Sequence, residues 1–379
     1  MGFSKFSHVK ISAIAGVVPE KVINIEDEIE YYNNDPKKLE RNKKILGLGT
    51  RHVVENDTTT VDLCEAAAIK LLREHNIDKS NIDAVIVVST SHDYVYPASS
   101  CLLQGLLDLP ETCMCFDISG LACSGYVHGL LQAHSLIESG AIKNCLLLCG
   151  DTPSKFTDVR NRISNMLFGD MGTATYLEYS KNTCNSYFYT GTQGKLWENL
   201  IAPAGGRKLP IRNDIADIEI VDKNGNVWHL WDDMMQGMNV FKFTMEVGPR
   251  SVEALLKYTN NKIEDIDFFA IHQANGQIVK TVAMHSKIPK EKYSSKTFSE
   301  YGNCAAASVI SVLCNEITST MNNVLLCTFG VGLSYGSAIL DFSNLKNYGI
   351  STYQTLRKNL TREEQVKYWI NKFMGENND

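Results

Sequence analysis

Cys123 stands in Asp117-Ile-Ser-Gly-Leu-Ala-Cys-Ser-Gly-Tyr126, after the apolar run Cys115-Phe116 and ahead of a helical stretch. A thiol where a strand hands over to a helix meets free backbone N–H groups and the positive end of the helix dipole. Both favour thiolate, the form that attacks carbonyls. An isolated cysteine before a helix is also ordinary packing, so other segments must supply its partners. Three carry polar groups beside apolar runs: Ile271-His-Gln-Ala-Asn275, Tyr301-Gly-Asn-Cys-Ala-Ala-Ala-Ser308 and Phe329-Gly-Val-Gly-Leu-Ser-Tyr-Gly336. Taken singly, His272 reads as a satisfied core histidine and Asn303, beside Gly302, as a helix cap or turn residue.

The elements that must position these groups alternate between helix and short buried strand. Val61, Cys64, Ala68, Leu71 and Leu72 share one helical face over 61–74, and Ala84-Val-Ile-Val-Val88 is a compact β-branched run. A second cycle places a strand over Cys113 to Ile118, the Cys123 turn, a helix that stops near Gly140, and a strand over Cys145 to Cys149. Continuous apolar strands predict a sheet covered on both faces, the mark of an α/β protein. The second half repeats the theme with strands at 268–271, 323–329 and 337–342 and a helix after Asn303. Two similar α/β halves sharing a central site are expected, with boundaries at 1–178 and 241–342.

Residues 179–240 break the pattern with Ala204-Gly-Gly206, Pro210, Asn224-Gly-Asn226 and three of the four tryptophans, at 197, 228 and 231. This excursion of turns and strands either shapes a substrate pocket or packs aromatics beneath a loop. Residues 343–379 form a polar extension in which Thr361-Arg-Glu-Glu364 reads as a capped start to a surface helix or partner contact.

The chain has 379 residues, 44% of them hydrophobic, and a formal charge of −6, which argues against a nucleic-acid binder. Its eleven cysteines follow no repeated spacing and sit in apolar runs, as reduced core residues of a cytoplasmic protein do. No Cys-x-x-Cys pair occurs, so structural zinc is not expected. The polar N-terminus does not read as a secretory signal, and no apolar run reaches about 18 residues.

The four segments in order resemble the β-ketoacyl-acyl carrier protein synthase III family of the thiolase superfamily, whose pattern is Cys in an A-C-S/A-G context, H-Q-A-N, G-N-T-S-A-A-S and F-G-G-G. The likeness runs over about residues 8–342 and takes in Arg51-His52 after Gly47-Leu-Gly, and Phe168-Gly-Asp-Met-Gly172. It implies the five-layered α-β-α-β-α thiolase fold, a homodimer, and a catalytic triad carried by Cys123, His272 and Asn303. It implies acyl transfer to Cys123 and decarboxylative condensation with a malonyl thioester. No cofactor is implied beyond the substrates, acyl-CoA or phosphopantetheine-carrier thioesters. The residue types suit that chemistry: a thiolate exchanges thioesters at little cost, and an imidazole and an amide can hold an enolate oxygen. Backbone N–H groups of Cys123 and Val331 would form a second oxyanion hole, with Val331 standing where the family has glycine.

Departures from the pattern concern substrate delivery. Gly49 and Gln277 replace arginines that contact CoA or the carrier protein in the family. Arg162 approximately matches a further CoA-contacting arginine, and Phe241-Lys242 matches a carrier-docking pair. Lys242, Lys280 and Lys287 form either a docking patch for an acidic acyl carrier protein or a solvated face. Asn275 reads as structural, and His52, His128, His134 and His285 have no catalytic context. Cys327 is one position out of register with the second cysteine of biosynthetic thiolases. The expectation is a specialised condensing enzyme. Its rivals are an acyltransferase moving the acyl group from Cys123 to an alcohol or amine, and a non-catalytic subunit of the same fold.

Overall fold

The computed structural model describes residues 2–32 and 34–374. The strands of its two large sheets are β1 (Phe3–Phe6), β2 (Val9–Val18), β3 (Ala84–Ser89), β4 (Met114–Ser119), β5 (Asn144–Asp151), β6 (Met171–Tyr179), β7 (Ser186–Thr192), β8 (Phe268–Ile271), β9 (Asn323–Gly330), β10 (Ser334–Asp341) and β11 (Lys346–Thr352). The helices that matter to the site are α1 (Pro36–Leu46), α2 (Thr60–Glu74), α3 (Ser99–Leu106), α4 (Gly125–Glu138), α5 (Gly237–Thr259), α6 (Gly276–His285), α7 (Ser308–Glu316) and α8 (Arg362–Met374).

Alternation along the strands builds the layers. Ile86, Val88, Leu147, Leu326 and Ala338 turn toward α4 and α7, which lie between the sheets in the central core. Their strand neighbours Val85, Val87, Leu146 and Leu148 face α2 and α3 on one outer side. Phe269, Ile271, Leu325 and Cys327 face α5 and α6 on the other. The result is the five-layered α-β-α-β-α thiolase fold. The six-stranded sheet has the order β11-β2-β6-β5-β3-β4, and the five-stranded sheet the order β1-β7-β10-β9-β8. Each contains a parallel pair, β3 with β5 and β8 with β9, followed by two antiparallel neighbours. Thus β5 and β9 hold equivalent places in the two sheets.

Two segments differ from the sequence reading. Ser186–Thr192, inside the expected excursion, is a full strand of the second sheet, because it alternates Phe188 into the core with partly exposed tyrosines. Lys346–Thr352, inside the expected polar extension, pairs in parallel with β2 at the edge of the first sheet. Only then does α8 begin, at a Thr361–Glu364 capping box. The tail is strapped to α2 by Arg357, which binds Asp62 at 2.9 Å and also Glu65. No helix among the described residues is long and apolar enough to cross a membrane.

The halves are joined by backbone contact. Leu167 O accepts from Asn303 N–H at 2.7 Å and Asn303 O accepts from Gly169 N–H at 3.2 Å. A Cβ on Gly169 would lie 1.9 Å from Tyr301 O, so only glycine lets these strands of backbone meet. Beneath this contact the buried Arg51 guanidinium binds Glu28 through two bonds of 2.7 and 2.5 Å. Removing one partner strands a buried charge. Arg51→Met is expected to cost about 3–5 kcal/mol in denaturant unfolding, with much of it regained in the Arg51→Met/Glu28→Leu double variant. A double variant no more stable than the single one would refute that account.

Candidate active site

The turn that carries Cys123 is shaped by its backbone. After β4, Gly120 has φ 74° and Ala122 φ 41°, and residues 122–124 make one 3₁₀ turn before α4. The second half contains the counterpart: Ala305 has φ 44°, and residues 305–307 make a 3₁₀ turn before α7. The two turns touch, with Ala122, Cys123 and Ala305 in one apolar cluster against Val331.

The strands behind the two turns end differently. Asp151 closes β5, is fully buried, and its Oδ2 accepts from the Ala306 N–H at 3.0 Å. Its Oδ1 accepts from the N–H groups of Thr90 and Ser91 at 2.7 and 3.0 Å and from three hydroxyls. Gly330 closes the equivalent β9 and presents no side chain. A Cβ there would lie 2.7 Å from Leu121 O and 3.1 Å from Cys123 N. The Ala306 N–H is therefore consumed by a carboxylate, whereas the strand end behind Cys123 offers its N–H no side chain. Ser124 Oγ and Ser334 Oγ, 2.5 Å apart, fasten the cysteine turn to the glycine-rich turn.

His272 ends β8, its backbone N–H donating to Cys327 O at 2.9 Å. Its ring stands edge-on to Phe329, with centroids 5.2 Å apart. Ser308 Oγ accepts from the Gln273 N–H at 3.0 Å and lies 2.9 Å from His272 Nδ1. A serine O–H donated to Nδ1 places the imidazole hydrogen on Nε2. Asn303 is oriented in a similar way. Its Oδ1 accepts from the Ala305 N–H at 3.1 Å, leaving Nδ2 to donate toward the Cys123 sulfur.

Cys123, His272 and Asn303 are all buried, and burial sets the protonation of the first two. It pushes the Cys123 thiol up to about 12, the carboxylates of Asp151 and Asp233 add to the rise, and the Asn303 amide opposes it. It pushes His272 down to about 3. The resting pair is a thiol and a neutral imidazole. This corrects the expectation that the helix start yields a thiolate: desolvation outweighs the dipole once the turn is covered.

The remaining candidates fall outside this cluster. Arg162 is engaged by Asn226 Oδ1 at 2.8 Å, Tyr31 O at 3.0 Å and Asn224 O. Lys242 and Lys280 are exposed on the adjoining helices α5 and α6, Lys287 is exposed just beyond, and Phe241 is half-buried. Gly49 cannot be exchanged for a larger residue without backbone movement, since a Cβ would stand 2.2 Å from Ser299 O. Asn275 caps α6 through the Ile278 N–H at 2.8 Å. His52, His128 and His134 each bond a backbone carbonyl, and Cys327 belongs to the outer core beside α5. A cavity of about 530 Å³ between α8 and the 93–106 region lies apart from Cys123. The sequence reading passed over Asp151 and Asp233. The first carries the signal used for His272, a polar residue ending an apolar strand, whereas Asp233 lies in the excursion and carries none.

Residues 116–194 match the model of the 3-oxoacyl-[acyl-carrier-protein] synthase III family, and residues 256–342 that of its C-terminal part. The first span contains Cys123; the second contains His272, Asn303 and the 329–336 turn. The chain is 38% identical over 352 residues to a putative 3-oxoacyl-[acyl-carrier-protein] synthase 3 of Campylobacter jejuni, covering 92% of this chain and 98% of that protein. It is 33% identical to the β-ketoacyl-[acyl-carrier-protein] synthase III of Fusobacterium nucleatum, covering 78% and 88%. Among solved structures, a 3-oxoacyl-(acyl-carrier protein) synthase of Burkholderia xenovorans superposes with a TM-score of 0.84 at 31% identity, covering 92% and 98%. On these matches the chain belongs to the 3-oxoacyl-acyl-carrier-protein synthase III family of acyl-transferring condensing enzymes.

Proposed function

We propose that Cys123 accepts an acyl group from a thioester and that His272 and Asn303 then drive decarboxylative condensation with a malonyl thioester. The observation that carries this reading is that each group is held by a second residue: His272 Nδ1 lies against Ser308 Oγ, and Asn303 Oδ1 accepts from the Ala305 N–H, so that Nε2 and Nδ2 are the donors offered to substrate. In the first step the Cys123 sulfur forms the new thioester and the donor's thiol departs with the cysteine proton. In the second, the bond to the malonyl carboxylate breaks, CO2 leaves, and the electron pair becomes an enolate whose oxygen the two donors hold. Its carbon attacks the acyl-Cys123 carbonyl. The resulting oxyanion is met by the Cys123 N–H, opposite Gly330, and by that of Val331. Collapse expels the Cys123 thiolate, which is reprotonated, and releases the β-ketothioester. The thioester substrates supply this chemistry with no other cofactor.

An imidazole held near pKa 3 is a poor base for an alcohol or amine nucleophile, which disfavours the rival acyltransferase. A carrier-bound donor fits better than free CoA. Gly49 has no room for a charged side chain, Gln277 is neutral, and Arg162 is spent on the 222–226 turn. Lys242 and Lys280 offer an acidic acyl carrier protein an exposed cationic face. The outer edge of β4 is unpaired, and Val95 and Tyr96 in the loop after β3 are exposed at 85% and 75%; both suit a homodimer. Eleven unpaired cysteines suit the reducing cytoplasm. The product is assigned to fatty acid-like or secondary-metabolite assembly.

Intact-mass analysis with acyl-carrier and acyl-CoA donors, followed by malonyl-carrier and CO2 measurement, tests the reading. Cys123→Ala is expected to abolish acylation. His272→Ala and Asn303→Ala are expected to keep it while losing CO2 release by about 100-fold or more. Ser308→Ala, which frees the tautomer, is expected to lower CO2 release about tenfold and spare acylation. Acyl transfer to an alcohol or amine without CO2 would instead establish the rival acyltransferase.

The protonation state gives a separate test. A thiol raised by burial is mostly protonated below its pKa, and its thiolate fraction grows about tenfold per pH unit. Alkylation of Cys123 by iodoacetamide, followed on its own peptide, is expected to climb steadily from about pH 6 to 9.5. A flat profile across neutral pH would reveal a preformed thiolate–imidazolium pair and overturn the neutral resting state.

A further inference from the structure

The cavity of about 530 Å³ between α8 and the segment after β3 has walls of two kinds: apolar side chains, among them Leu102, Leu106 and Leu360, and the carboxylates of Asp57, Asp62 and Asp93. Three aromatic residues complete the lining. Trp369 meets Tyr94 with ring centroids 6.0 Å apart at 87°, and Tyr368 at 5.1 Å and 76°. All three remain partly exposed. One cation already stands on this cluster, for Lys372 Nζ is 5.4 Å from the centroid of Tyr368.

The charges that line the cavity do not balance. Arg357 is committed to Asp62 and Glu65, and Lys358 lies 3.3 Å from Glu364. Asp62 also accepts from the Thr59 N–H at 2.9 Å and from Asn359 Nδ2 at 3.0 Å. Asp93 is left short. The Thr59 hydroxyl lies 2.8 Å from Asp93 Oδ2 and 3.0 Å from Asp62 Oδ2, and its single proton can serve only one of them. Asp93 Oδ1 is buried with no hydrogen-bond partner among the described residues. Lys155, whose charge reaches Asp93, donates to Asn56 O at 2.9 Å.

A carboxylate sheltered beside apolar walls and short of a donor is satisfied by a ligand that brings a donor and a positive charge together. Aromatic faces attract the same charge. We propose that this cavity binds a primary ammonium joined to an apolar body, the nitrogen donating to Asp93 and the body lying among Trp369 and the leucines. Such a ligand would bridge α8 to the segment after β3. The inference is independent of the chemistry at Cys123.

Binding of 2-phenylethylamine, 2-phenylethanol and phenylacetate to the full chain, followed by ligand NMR, tests it, since the three differ in charge at nearly one shape. The amine is expected to bind about tenfold or more tighter than the alcohol, and phenylacetate most weakly. Asp93→Asn should close the gap between amine and alcohol. Trp369→Leu, on a helix with no fully buried residue, should weaken the amine about fivefold, which keeps the proposal open to refutation should the Asp93 variant fail to fold. Equal binding of amine and alcohol, tightest binding of phenylacetate, or no binding of any of the three up to about 10 mM would overturn it. So would an amine preference that survives both substitutions.

Discussion

The site depends on how closely Gly330 approaches the backbone of Cys123. Strands β5 and β9 occupy equivalent places in the two sheets, and each ends against a 3₁₀ turn from the opposite half. Where β5 ends in Asp151, the carboxylate satisfies the turn's N–H and fixes it as structure. Where β9 ends in glycine, the absence of a side chain leaves the Cys123 N–H open to a substrate oxygen. One residue type thus separates a structural turn from a reactive one. The same contact explains why Cys123, His272 and Asn303 come from both halves: neither half alone closes its own turn.

Burial then decides the chemistry of what is gathered there. A thiol raised to about 12 and an imidazole lowered to about 3 both respond to loss of water. Together they make a site that carries no net charge on its nucleophile or its donors. Such a site binds a thioester without first separating charge and meets the enolate with dipoles already in place. Ser308 and Ala305 matter because neutral donors act by direction. An imidazole hydrogen on the wrong nitrogen, or an inverted amide, would turn an acceptor toward the developing oxyanion.

The layered fold was legible because its strands are apolar throughout and its helices periodic, as in Ala84–Ser89 and Thr60–Glu74. The site was legible because its residues sit in four short motifs in a fixed order, with His272 directly after the buried strand Phe268–Ile271 and Cys123 just beyond the end of Met114–Ser119. Strands near the sheet margins were not. Ser186–Thr192, one place in from the edge, mixes tyrosines with small residues, and the edge strand Lys346–Thr352 is polar enough to pass for tail. The protonation state was misjudged for a related reason. A helix start is visible in sequence, but the depth at which Cys123 ends up is set by Val331 and Ala305, far along the chain.

The glycine contacts also dictate where this enzyme can differ from its relatives. Gly169 against Tyr301, Gly49 against Ser299 and Gly330 against Leu121 leave no volume for substitution, so the frame around the nucleophile is sterically frozen. Residues 193–236 are free of that constraint. They touch the core through short ribbons and single hydrogen bonds, yet they reach the turn that covers Cys123. A change there bears on the turn that covers Cys123 while leaving the glycine contacts in place.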